Sequence, residues 1–117
     1  MGQLTTHVLD TSAGLPAEAM RIELHELGAP LPRLLRSVTT GANGRCAAPL
    51  LAEAEFRPGR YSLTFHVAEY FRGRGLDLPV PAFLDEIIVR IGIAEAVQHY
   101  HVPLLISPWS YSVYRGG

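Results

Sequence analysis

The feature that most constrains this fold is a two-residue alternation of apolar and polar side chains, recurring in short runs along the chain. Tyr61, Leu63, Phe65 and Val67 alternate with Ser62, Thr64 and His66, the pattern of a strand with one face buried. Leu4, Thr6 and Val8 alternate with Thr5, His7 and Leu9, which puts Leu4 and Val8 inward and His7 outward. Met20, Ile22 and Leu24 alternate with Arg21, Glu23 and His25, and Ile87, Val89 and Ile91 share one face of a run over 85–92. Near the end, Val102, Leu104 and Ile106 point inward, opposite His99, His101, Pro103 and Leu105. A Ser107-Pro108-Trp109-Ser110 turn then returns the chain as a last strand.

Turn signals separate these runs. They fall at 11–16, 28–32, 56–59 and, most strongly, at Thr40-Gly41-Ala42-Asn43-Gly44. Residues 34–40 read as a strand of mixed character, 46–51 as a short run, and 68–75 as about two helical turns anchored by Tyr70 and Phe71. About eight short strands and one small helix predict an all-β fold, an antiparallel sandwich formed as one domain over 1–117.

Composition narrows the chemistry. The chain has 117 residues, 48% hydrophobic, enough for a core without staples. A formal charge of -1 gives no pull toward nucleic acid or anionic lipid, so neither partner is expected. All ten basic residues are Arg, which removes Schiff-base lysine chemistry and leaves guanidinium as the permanent cation. The single Cys46 has no disulfide partner and reads as a small buried hydrophobe rather than a thiol nucleophile. No basic leader with an apolar core opens the chain and no apolar run is long enough to span a bilayer, so the expectation is a cytoplasmic protein.

His99 and His101 share a strand face and could hold zinc with a third ligand from His7, His25 or His66. No Cys pair or His–carboxylate motif accompanies them, and no metal is expected. Ser107, Ser110 and Ser112 lack the G-x-S-x-G elbow of a serine hydrolase, and phosphate-loop and dinucleotide fingerprints are missing. What remains is outward His7, Arg45 after a tight turn, outward His101, and Tyr114-Arg115 at the end. A neutral imidazole can take a proton from water, and arginine can grip an imide or carboxylate edge with two parallel hydrogen bonds. These groups suit attack of water on an activated amide, although spacing alone does not bring them together.

The pieces HVLD (7–10), HYHVPLL (99–105), SPWSYS (107–112) and the closing YRGG resemble 5-hydroxyisourate hydrolase of the transthyretin-related family, and the resemblance runs along the whole chain. It implies a transthyretin-like sandwich of two four-stranded sheets with one short helix. It further implies a homotetramer, a dimer of dimers, with active sites in the channel between dimers. The catalytic positions carry over to His7, Arg45 and His101, and the substrate-binding ones to Ser112, Tyr114 and Arg115. Arg115 falls on the strand face opposite Tyr114 and joins the site only if the strand ends or twists there. The implied reaction hydrolyses an amide bond of 5-hydroxyisourate in urate breakdown and needs no cofactor. The family usually closes in YRGS, where this chain has Gly117. Two other readings stay open: a transthyretin-like carrier of small molecules in the same channel, and an interaction sandwich without chemistry.

Overall fold

The computed structural model describes residues 2–117. Eight strands form two four-stranded sheets: β1 (Leu4–Asp10), β2 (Leu15–Pro16), β3 (Arg21–Glu26), β4 (Arg33–Thr39), β5 (Gly59–Phe65), β6 (Ile87–Ile93), β7 (Tyr100–Ile106) and β8 (Tyr111–Val113). One sheet runs β2-β1-β7-β8 and the other β4-β3-β5-β6. A helix, α1 (Val67–Gly73), follows β5. None of the described helices is long and apolar enough to cross a membrane.

The alternation places the core as expected. Leu4, Val8, Ile22, Leu24, Leu63, Phe65, Leu104 and Ile106 are wholly buried between the sheets. Each contributes about 1.5–3 kcal/mol relative to an exposed side chain. Val67 leaves the alternation to start α1, yet it stays buried because Val67, Tyr70 and Phe71 follow the i, i+3, i+4 spacing of one helix face. The run at 46–51 is not a strand. Its Ala-Ala-Pro segment (47–49) follows the β1 edge and touches the ladder only through isolated bridges at either end. The eighth strand is instead β2, inside the stretch read as a turn.

One feature departs from a wholly antiparallel sandwich. Among the described strands five pairings are antiparallel, but β1 and β7 run parallel, with Thr5 opposite His101 and His7 opposite Pro103. Parallel neighbours need a long crossover, here most of the chain. This pairing sets the first histidine-bearing strand beside the last.

A buried carboxylate ties the β1 end to the helix. Asp10 is 1% exposed, and its Oδ1 accepts the backbone N–H groups of Ser12 (3.0 Å) and Ala13 (3.2 Å) and the Ser12 hydroxyl (2.6 Å). Its Oδ2 accepts the Tyr70 hydroxyl at 2.9 Å. Burial, and then the neighbouring carboxylate, push the Tyr70 phenol up to about 12. Asp10→Ala would leave these donors without an acceptor and is expected to cost about 3 kcal/mol. A urea-unfolding midpoint close to that of the parent protein would refute this.

Candidate active site

The site is built on the outward face of the β1–β7 pair. Because Leu4 and Val8 face inward, Thr5 and His7 must face out. The parallel register then lays Thr5 beside His101. The free edge of β1 is covered by the loop 40–51 rather than by a full strand. Val8 N–H donates to the Gly44 carbonyl at 2.9 Å, and His7 and Arg45 form an isolated bridge. The turn is closed by Gly41 N–H to the Arg45 carbonyl (2.8 Å) and by Arg45 N–H to Asn43 Oδ1 (3.0 Å).

Arg45 and His101 line a cleft of about 430 Å³, together with Thr5, Cys46, His99 and Gly117. His7 is not among its lining residues but is bridged to Arg45, which is. Its Nε2 lies 2.9 Å from the Asn43 carbonyl, a partner that only accepts, so Nε2 carries the proton and Nδ1 is the ring's free nitrogen. His101 Nδ1 lies 2.7 Å from Thr5 Oγ1, and the same oxygen lies 3.2 Å from His99 Nε2. The two imidazoles are nearly parallel, 14° apart with centroids separated by 6.3 Å. Gly116 packs on His101: its N–H donates to the His101 carbonyl at 2.8 Å, and a methyl in its place would sit 2.8 Å from His101 Cδ2.

Electrostatics favour a neutral His101. Burial lowers its pKa below the ordinary value of 6.5, and the charges of Arg45, His99 and His7 act in the same direction. A neutral ring, partly buried and beside a guanidinium, is equipped to accept a proton. Burial raises the Cys46 thiol, which opposes a thiolate role. Cys46 is half-buried in the cleft wall rather than fully buried in the core.

Ser112, Tyr114 and Arg115 go elsewhere within one chain. Arg115 turns its guanidinium over the Tyr100 ring, 3.9 Å from the centroid, and donates to Gln98 Oε1 and the His99 carbonyl at 3.1 Å each. With Tyr114 it lines a second concavity of about 310 Å³ beside Val89, Ile91 and Val113. Ser112 is exposed on β8, paired with Leu105, and lines neither concavity. Among the described residues no group of three or more His, Cys, Asp or Glu side chains is arranged to hold a metal ion. His66, weighed as a ligand, instead lies 2.6 Å from Glu23 Oε1 on the other sheet.

Residues 4–116 match the model described as the HIUase/Transthyretin family. The chain belongs to that family. A curated relative from Mesorhizobium japonicum, "5-hydroxyisourate hydrolase", is 57% identical over 98% of this chain and 92% of its own length. The solved 5-hydroxyisourate hydrolase of Klebsiella pneumoniae superposes with a TM-score of 0.82 at 34% identity, each chain covered in full. A solved (S)-allantoin synthase superposes with a TM-score of 0.93 at 48% identity over 99% of this chain, which spans 44% of that longer protein.

Within this HIUase/Transthyretin chain, Thr5 and Asn43 carry no local sequence signal of a site role, and the spacing of His99 points only to a metal ligand. The outward position of Thr5, in phase with His7, was legible. Its hydroxyl sitting between two histidines depends on the β1–β7 register. The Asn43 contact is made by a backbone carbonyl, which leaves no side-chain signature.

Proposed function

We propose that this protein hydrolyses 5-hydroxyisourate to 2-oxo-4-hydroxy-4-carboxy-5-ureidoimidazoline without a cofactor, with His7, Arg45 and His101 as the catalytic residues. The observation that carries this reading is the cleft itself, lined by Arg45 and the partly buried His101, with His7 bridged to Arg45 on the adjoining strand. The relatives that share the whole chain carry the same activity in their names.

His101 Nε2 takes a proton from water, and the resulting hydroxide adds to the ring carbonyl. Arg45 stabilises the negative charge that develops on the carbonyl oxygen. The C–N bond breaks, the His101 proton passes to the leaving nitrogen, and the carbonyl carbon becomes the new carboxylate. His7 has its Nε2 proton tied to Asn43, so its free Nδ1 accepts a hydrogen bond from substrate or from the attacking water. Assembly as a homotetramer places these clefts in a channel and recruits Ser112, Tyr114 and Arg115. The open edges of β6 and β8, with Ile88 and Val113 exposed, support such pairing. The lone Cys46 fits a reducing, cytoplasmic setting.

The test is the decay of ultraviolet absorbance of freshly prepared hydroxyisourate. The protein must accelerate it well beyond the spontaneous rate, and no acceleration would sink the proposal. The pH profile sharpens the test. The active base is neutral, and the folded protein lowers the His101 pKa, so activity persists as pH falls through the ordinary histidine range. The acid limb of kcat/KM, which reports the free enzyme, should bend below pH 6.5. A midpoint at or above that value would remove His101 as the base.

A further inference from the structure

Thr5 has one hydroxyl proton and two imidazole neighbours. Its Oγ1 lies 2.7 Å from His101 Nδ1 and 3.2 Å from His99 Nε2. The hydroxyl can donate to only one of them; when it does, the other nitrogen must donate to Thr5. A hydroxyl proton directed at either ring therefore sets the two rings in opposite senses. When His101 carries its proton on Nδ1, Thr5 donates to His99, and His101 Nε2 is a bare base facing the cleft. When Thr5 donates to His101 Nδ1, His99 supplies the proton on the other side, and His101 Nε2 carries a hydrogen. Both rings line the cleft with Arg45, but His99 is exposed to solvent whereas His101 is partly buried.

Resting on the hydrolase reading above, we infer that Thr5 and His99 are positioning residues forming a proton relay, which moves charge from partly buried His101 to solvent-exposed His99 when His101 is protonated and returns it when the leaving nitrogen is protonated. The protons balance throughout. Water gives a proton to His101 Nε2, making an imidazolium beside Arg45, where a second positive charge is opposed. The Nδ1 proton of His101 passes to Thr5 Oγ1 as the Thr5 proton passes to His99 Nε2. His101 is again neutral, and the charge rests on exposed His99, where water screens it. When His101 Nε2 gives its proton to the leaving nitrogen, Thr5 returns a proton to Nδ1 and His99 Nε2 returns one to Thr5. All three groups end as they began, with no proton gained or lost by the protein.

The relay acts on the chemical step rather than on binding. Thr5→Val keeps the β-branched shape and removes the hydroxyl. It is expected to lower kcat about ten- to a hundredfold, below the full loss of an acid–base group, while KM and the thermal midpoint stay near those of the parent. Thr5→Ser should recover most of kcat. His99→Phe should lower kcat less than Thr5→Val. Ring-nitrogen NMR of the labelled protein gives a readout independent of turnover: His101 should show a protonated Nδ1 in the parent and Thr5→Ser proteins and a tautomer mixture in Thr5→Val. Unchanged kcat and unchanged His101 nitrogen signals in Thr5→Val would overturn the relay. So would a kcat loss that Thr5→Ser fails to restore, since that marks a packing role. If His101→Asn retains turnover while the His101 signals of the parent still respond to Thr5→Val, the hydrolase site assignment falls, and the relay's catalytic part falls with it.

Discussion

His101→Asn is expected to lower turnover of hydroxyisourate on the order of a thousandfold, within the range of a lost acid–base group. Asparagine keeps a polar tip within reach of Thr5 but offers no nitrogen that takes a proton near neutral pH. The fold should survive. His101 is only partly buried, and the flanking Val102 and Leu104 still fill the core. The measurement is single-turnover decay of substrate absorbance alongside a thermal unfolding curve. A variant that folds like the parent and works at more than a tenth of its rate would remove His101 from the chemistry. The residual rate is also informative. Arg45 remains in the cleft, so oxyanion stabilisation should persist above the spontaneous background.

Gly44→Ala is expected to cost about 3 kcal/mol or more of stability, combining left-handed strain with a backbone clash. Gly44 has φ of +76°, and a Cβ there would press into the Val8 carbonyl oxygen and lie 3.2 Å from His7 Cδ2. That carbonyl already accepts Ala17 N–H at 2.9 Å, so it cannot yield without loosening the start of the next segment. The same turn carries Arg45 and presents the Asn43 carbonyl to His7. A displacement of about 1 Å at such a site can cost a hundredfold in rate. Stability and activity should therefore fall together. Gly28→Ala is the control, because a methyl there meets nothing within 4 Å and the glycine has no left-handed φ. Equal chemical-denaturation midpoints for the two variants would contradict the account.

Much of the candidate site was readable from local pattern. Alternation alone put His7 and His101 on outward faces, because a strand with Leu4, Val8, Val102 and Leu104 buried leaves its other positions no choice. The tight turn before Arg45 was marked by Asn43-Gly44, and the structure shows that turn wrapping against β1. The family motifs joined these pieces into a hypothesis that spacing by itself did not supply.

The sequence on its own determined the long alternating strands, which of their faces are buried, and that the basic side chains are all guanidinium, since each of these follows from local chemistry, whereas the short β2 and the non-strand run at 46–51 did not follow from it. Only the tertiary structure decided what meets what. The parallel register of β1 and β7 put Thr5 against His101, the bridge at His7 brought in Arg45, and the packing over Tyr100 carried Arg115 away from the imidazoles. Contacts between residues fifteen to about a hundred positions apart depend on how whole strands and sheets stack and pair. No short-range preference of the chain encodes that.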